Sequence, residues 1–210
     1  MVITDPSRAD LVRRALWLEW LTVAWMAVEA AVAIGSGIRA GSLSLIAFGA
    51  DSIIELASAG VLLWRLRVEV QLGDRFSEAT ERRASKIAGA LLFALAAYVV
   101  VTAAYGLWRQ EGQQFSTPGL IVTALAIPTM YALAKTKIRV ADQIGSRALR
   151  ADAVESITCG YLAVVVLIGL LAQLLVGVWW IDSVTSLALV WFLVKEGREA
   201  WQCEGAEDED

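Results

Sequence analysis

The 210-residue chain contains no histidine, only three prolines and only two cysteines. Without histidine, we exclude zinc proteases of the His-Glu-x-x-His type, histidine-based catalytic triads and most acid–base enzymes that work near neutral pH. Neither a Walker sequence nor a dinucleotide-binding glycine pattern occurs, and the basic residues form no nucleic-acid-binding face. We therefore expect a protein that is not an enzyme, carries no prosthetic group and binds no nucleic acid.

Charged residues are also scarce, at 19 %, whereas hydrophobic residues make up 58 % of the chain. This composition lies outside the usual range of a soluble domain. Apolar stretches near the roughly 20 residues that cross a bilayer's hydrocarbon core occur six times. They cover residues 15–38, 42–64, 87–107, 118–137, 152–176 and 179–196. Because alternating ten-residue strands are absent, the sequence predicts an all-α, polytopic membrane protein with six transmembrane helices.

The positive charges predict how these helices are oriented in the lipid bilayer. With a cytoplasmic N-terminus, the outer loops hold only Arg39 and Arg109 of the 18 lysines and arginines. Short cytoplasmic loops retain positive residues, so we expect both termini in the cytoplasm. We also expect a multi-pass protein of the plasma membrane. The expected organisation is a cytoplasmic N-terminal segment over 1–14, a six-helix transmembrane domain over 15–198 and an acidic cytoplasmic tail over 199–210.

Two of the predicted spans carry acidic side chains close together in the sequence. Asp51 and Glu55 are four residues apart on the second span, and the fifth span carries Asp152, Glu155 and Cys159. A charged side chain near the bilayer centre costs roughly 2.5 to 3.5 kcal/mol, so several together call for a bound partner. Residues four apart share a helix face, and the two spans run in opposite directions. Four donors can therefore meet near mid-membrane around a cation: Asp51, Glu55, Glu155 and Cys159.

Three residues in or near this group are each consistent with more than one role. Glu29 in the first span fits a neutral carboxyl bonded to a neighbouring helix as well as it fits a ligand or a group beside the site. Cys159 taken alone is typical of a small buried hydrophobic residue. Asp152 lies near the inner boundary of the membrane. Three roles are therefore open for it: lining a vestibule, pairing with Arg150 or binding the cation.

Two further acids are expected to have structural positions. We expect Glu19 to extend to the membrane interface and Asp182 to cap the N-terminus of the sixth helix. A weak internal sequence similarity also relates the stretch from Gly41 to Asp51 to the stretch from Gly145 to Asp152. Since these stretches begin spans of opposite direction, an inverted repeat of three plus three helices is conceivable.

Several segments together resemble the transmembrane domain of the cation diffusion facilitator family, which exports divalent metals in exchange for protons. The segments are GSLSL at 41–45, ADSIIE at 50–55, ALRADAVE at 148–155, WID at 180–182 and EG at 196–197. Their order and spacing correspond over nearly the whole chain. The resemblance implies two metal-binding residues on the second span and two on the fifth. Position by position, these are Asp51 and Glu55, then Glu155 and Cys159.

The chain also departs from the family pattern. The family commonly has Asp at the position of Glu55, His at that of Glu155 and Asp at that of Cys159, so the metal preference of other members does not transfer. The sequence ends shortly after the sixth span, and we expect it to lack the usual cytoplasmic metal-binding domain. A homodimer is implied by the resemblance alone. The sequence around Asp51 resembles that of a short branch of the family, which includes the animal transmembrane 163 zinc transporters.

The sequence thus predicts a divalent metal exporter that works by metal/proton antiport with alternating access. Three carboxylates and one thiolate would outweigh the charge of a divalent ion, so metal and protons should compete for the site. Mixed oxygen and sulfur donors favour Zn²⁺ first, with Mn²⁺, Fe²⁺ or Co²⁺ as alternatives. Two other functions remain open: a non-metal proton-coupled transporter or proton channel, and a structural or assembly membrane protein.

Overall fold

The computed structural model describes residues 6–72, 78–110 and 114–202, and this part of the chain contains six α-helices and no strand. The all-α prediction is therefore confirmed. The helices are α1 (Pro6–Ala40), α2 (Leu43–Leu72), α3 (Glu78–Arg109), α4 (Thr117–Ile144), α5 (Arg147–Val176) and α6 (Ile181–Gln202). With a rise of 1.5 Å per residue, even the shortest helix, α6, is about 33 Å long and can cross the hydrocarbon core.

Five of these helices contain a described stretch that is long and apolar enough to cross a membrane. The stretches are Asp10–Ala40, Leu43–Trp64, Gly89–Arg109, Thr117–Ile144 and Asp152–Val176. The helix α6 is less apolar, because Asp182 lies near its start and Lys195 and Glu196 lie in its second half. It nevertheless packs inside the bundle, against α2, α3 and α5. The chain is a multi-pass membrane protein.

The helices form two groups. In the four-helix group, α1 contacts α2 and α4, and α5 also contacts α2 and α4. The α3–α6 pair packs together and reaches the four-helix group through α2 and α5. Large side chains such as Phe48, Met130 and Leu162 are fully buried in the main core. The polar side chains described below lie within this framework.

Two turns of the same construction begin α2 and α5. Gly41 and Gly145 adopt left-handed backbone conformations, with φ of 66° and 69°, which end the preceding helices. The next residues, Ser42 and Ser146, each accept a hydrogen bond at 3.3 Å from the backbone N–H three residues further on. A serine in this position is a typical helix N-cap. The two halves of the chain therefore start their second helices in the same way.

These matching turns define a register between the two halves. Counting from the turn glycines, Asp51 corresponds to Glu155 and Glu55 corresponds to Cys159. The contacts α1 with α2 and α2 with α3 also have counterparts in α4 with α5 and α5 with α6. Both observations favour an inverted repeat. In its register, Asp51 is equivalent to Glu155. The internal sequence similarity had suggested Asp152 as the equivalent residue.

Asp182 caps a different helix from the one expected. Although it lies in the first turn of α6, its buried carboxylate accepts hydrogen bonds from the backbone N–H groups of Leu43 (2.6 Å) and Ser44 (3.2 Å). The hydroxyls of Ser42 and Ser44 also donate to it, at 2.8 and 2.6 Å. The prediction that Asp182 caps α6 is wrong, because the N-terminal N–H groups of α2 lie beside it and lack helical partners. These bonds attach the start of α6 to the start of α2.

Candidate metal site

Three buried carboxylates from two helices form the centre of the candidate site. Asp51 and Glu55 lie one turn apart on α2, and Glu196 lies on α6, which packs against α2. One carboxylate oxygen from each residue lies within 4.8 Å of the other two. We call Asp51, Glu55 and Glu196 the carboxylate cluster.

The oxygens of Asp51 and Glu55 have no hydrogen-bond donor. All four are buried, and none accepts a hydrogen bond from the residues that the structure describes. Buried carboxylates without partners are strongly unfavourable, so these oxygens fit a cation. Zinc–oxygen bonds are about 2.1 Å long, so oxygens around a tetrahedral zinc ion lie about 3.4 Å apart. A contraction of up to about 1.4 Å would thus bring the carboxylate cluster onto one ion.

The two predicted ligands on α5 lie beside this cluster. Glu155 is half-buried and exerts Coulombic repulsion on both Asp51 and Glu55. Cys159 is fully buried and experiences the charges of Glu55, Glu29 and Asp51. In the described part of the chain, neither residue joins a group of three donors as close as the carboxylate cluster. The structure therefore brings together the α2 half of the predicted ligand set and places the α5 half next to it.

Glu29 connects three helices at the edge of the site. Its carboxylate accepts hydrogen bonds from the indole of Trp25 (2.8 Å) and the hydroxyl of Ser52 (2.7 Å). The thiol of Cys159 donates to the same carboxylate at 3.5 Å. Unlike Asp51, Glu29 thus has its acceptors occupied, and its bonds link α1 to α2 and α5. This geometry favours a positioning role beside the candidate site over direct ligation.

A second buried cluster is built around a lysine. The Nζ atom of Lys137 on α4 lies 3.2 Å from Oε1 of Glu19 on α1 and donates to Oδ2 of Asp152 on α5. Glu19 and Lys137 are fully buried and Asp152 nearly so, so the expectation that Glu19 extends to the interface is wrong. Arg150 instead pairs with Asp142 on the outside of the bundle, at 2.8 Å. We call Lys137, Glu19 and Asp152 the lysine triad.

The comparison with protein families decides what kind of protein this is. The family model of the cation efflux transmembrane domain matches residues 20–201, which is most of the chain. The chain belongs to the cation efflux family. This confirms the family resemblance that the sequence segments predicted. No curated protein matches the sequence.

Membership in the cation efflux family makes the chain a transporter of metal cations in general terms. The family is a class of transporters and not of enzymes. The similarity to the transmembrane 163 branch stays a prediction, as do the choice of metal and the exchange for protons.

The sequence reasoning missed two residues of this cation efflux protein. Glu196 was part of the last matching segment, and an acid near the end of an apolar stretch was the signal that could have marked it. Lys137 was counted among the basic residues that set the orientation, but its side chain on α4 is buried within the bundle. Its partners come from α1 and α5, so no local pattern could have assigned them.

Proposed function

We propose that this protein exports a divalent cation, Zn²⁺ first, in exchange for protons, as a multi-pass protein of the plasma membrane. Asp51 and Glu55 would be the ligands from α2, and Glu155 and Cys159 would be the ligands from α5. The observation that carries the proposal is the set of four buried carboxylate oxygens on Asp51 and Glu55 without a hydrogen-bond donor among the described residues. A divalent cation supplies the charge that these two carboxylates require.

The charge of the site supports exchange for protons. Two ionised carboxylates already balance a divalent ion, and the neighbouring Glu155 and Cys159 add further acidic groups. In a site of low dielectric constant, these groups cannot all be ionised once the metal has left. Protons and metal therefore compete for the same atoms, and the group titrates as a unit. Alternating exposure of the site to the two sides would then carry metal one way and protons the other.

The donor set supports a borderline transition metal. Carboxylates with one thiol suit Zn²⁺, and carboxylates alone suit harder ions such as Mn²⁺. In this conformation the thiol of Cys159 contacts Glu29, so the oxygen donors are the ones grouped together. We rank Zn²⁺ first and keep Mn²⁺, Fe²⁺ and Co²⁺ as alternatives. The homodimer expected from the family resemblance is part of the same proposal.

Transport by purified protein in lipid vesicles tests the proposal. The assay measures metal uptake with a dye inside the vesicles, under an imposed pH gradient, for Zn²⁺, Mn²⁺, Fe²⁺ and Co²⁺. We expect Asp51→Asn and Glu55→Gln each to reduce metal flux about tenfold or more, since each removes a charged ligand. Asp142→Asn is the matched control, because Asp142 forms an exposed ion pair with Arg150 away from the candidate site, and its flux should stay within about twofold of the unaltered protein.

Two results would count against the exporter. If Asp51→Asn and Glu55→Gln transport every ion as fast as the unaltered protein, these carboxylates are not the metal site. If the vesicles conduct protons while no ion of the panel moves, the protein is a proton channel or a transporter of another substrate.

A further inference from the structure

We infer that Glu196 is a further metal ligand, through which the bound ion connects α2 to the α3–α6 pair. This inference rests on the proposed function, since it concerns the same ion. It adds a ligand from α6 to the set from α2 and α5 that the sequence predicted.

The Glu196 carboxylate lies beside those of Asp51 and Glu55. It is buried, and one of its oxygens lies within 4.8 Å of oxygens from Asp51 and Glu55. The oxygens of Asp51 and Glu55 accept no hydrogen bond from the described residues, so the group that Glu196 joins already lacks a counter-charge. A third carboxylate at this distance increases the repulsion unless a cation lies between them. The arrangement is therefore that of a cation site with donors from two helices.

Close packing of α6 on α3 holds Glu196 in place. The next residue, Gly197, lies against α3, where an added Cβ atom would come within 3.2 Å of the Phe93 ring and 3.4 Å of the backbone oxygen of Gly89. The absence of a side chain at Gly197 thus lets α6 lie close to α3 at this level. Glu196 belongs to the cluster on α2, while its neighbour packs on α3.

The helix α6 is attached to α2 near its start and meets α2 again at Glu196. At its start, Asp182 accepts four hydrogen bonds from Ser42, Leu43 and Ser44, which attach α6 to α2. Glu196 lies 14 residues further on, about 21 Å along the helix. At this second level, Glu196 lies beside the carboxylates of Asp51 and Glu55. A bound ion would reduce the repulsion between these carboxylates and would join α2 to α6 there.

The two sets of ligands share Asp51 and Glu55. One set is completed by Glu196 from α6, and the other by Glu155 and Cys159 from α5. The first set contains only oxygen donors, whereas the second includes sulfur. Because harder ions prefer oxygen ligands, Glu196 should contribute more to the binding of Mn²⁺ than of Zn²⁺.

Equilibrium metal binding to the purified full-length protein in detergent tests this inference, with Zn²⁺ and Mn²⁺ measured by calorimetry. We expect Glu196→Gln to weaken Mn²⁺ binding about tenfold or more and Zn²⁺ binding by less. Asp142→Asn is the control and should bind both ions as the unaltered protein does. Glu196→Cys supplies a soft ligand at the same position, so it should bind Cd²⁺ more tightly than Glu196→Gln does while Mn²⁺ binding stays weak.

The outcomes separate this inference from the proposed function. If Asp51→Asn loses metal binding but Glu196→Gln and Glu196→Cys bind all three ions like the unaltered protein, the inference is wrong and the proposed function stands. If the unaltered protein binds none of the ions, both are wrong. If Glu196→Gln aggregates, Glu196→Cys decides by its preference for Cd²⁺ over Mn²⁺. A stronger preference than that of the unaltered protein supports the inference, and an equal preference indicates a purely structural role for Glu196.

Discussion

The lysine triad and the carboxylate cluster bury the same type of side chain with opposite consequences. In the triad, Glu19 and Asp152 share the ammonium group of Lys137, which the chain itself supplies. In the cluster, Asp51 and Glu55 receive no hydrogen bond from any described residue. Both groups bear the desolvation cost of burial. The acids of the triad share a cation that the chain supplies, whereas under the proposed function a metal ion would supply the positive charge beside Asp51 and Glu55.

The two groups are also neighbours. Asp152 and Glu155 are three residues apart on α5, and Glu155 experiences the charges of both Asp152 and Lys137. Within about one helical turn, α5 therefore carries an acid that is held in an ion pair and an acid that lies beside the candidate metal site. The two acids differ in that Asp152 is paired with the ammonium group of Lys137, whereas Glu155 lies beside the candidate metal site.

Removing the lysine should have the largest effect on this contrast. We expect Lys137→Met to lower the free energy of unfolding by about 3 to 5 kcal/mol, because Glu19 and Asp152 would stay buried without a cation. Denaturation of the purified protein in detergent measures this loss. The matched variant combines Lys137→Met with Glu19→Gln and Asp152→Asn, and it should recover most of the stability. A single variant as stable as the unaltered protein would show that the triad does not stabilise the bundle.

Placing a lysine in the carboxylate cluster gives it an ammonium group like that of the lysine triad. We expect Glu196→Lys to abolish Zn²⁺ binding, because the new ammonium group would occupy the place of the metal. In the unaltered protein, Zn²⁺ at 100 times its Kd should stabilise the fold by about 2.7 kcal/mol, and in Glu196→Lys this gain should disappear. Thermal unfolding with and without Zn²⁺ measures both values. An equal gain from Zn²⁺ in the two proteins would place the ion elsewhere.

Acid should affect the cluster by competition with metal. Each proton that a bound metal ion displaces makes the affinity fall about tenfold for each unit by which the pH is lowered. We therefore expect Zn²⁺ binding to weaken as the pH falls from about 7.5 to 5.5, and calorimetry in buffers of different ionisation enthalpy counts the protons released. An affinity that does not change with pH would argue against exchange for protons.

The thiol should make the smallest difference. Since Cys159 contacts Glu29 in this conformation, we expect Cys159→Ser to weaken Zn²⁺ binding by less than about tenfold and to leave Mn²⁺ binding unchanged. Equilibrium binding of both ions measures the effect. An unchanged Zn²⁺ affinity would remove the thiolate from the ligand set and leave the carboxylates in place.

The fold was predictable to the extent that it depends on local patterns. Six apolar stretches predicted six helices, and the structure confirms an all-α bundle. The spacing of Asp51 and Glu55 placed both on one face of α2, since helical periodicity alone determines that relation. Contacts between distant segments could not be predicted in this way. Asp182 was expected to cap its own helix, yet the nearest free N–H groups in the folded bundle belong to α2.

The sequence by itself determined the helices, the family and the pair of acids on α2, because these depend on hydrophobicity, motif spacing and helical periodicity. Only the tertiary structure decided which charged residues meet in the interior of the bundle. Lys137 meets Glu19 and Asp152 across three helices, and Glu196 meets Asp51 and Glu55 across two. Electrostatic partners are set by distance in space, and no pattern within a single helix reports the distance to another.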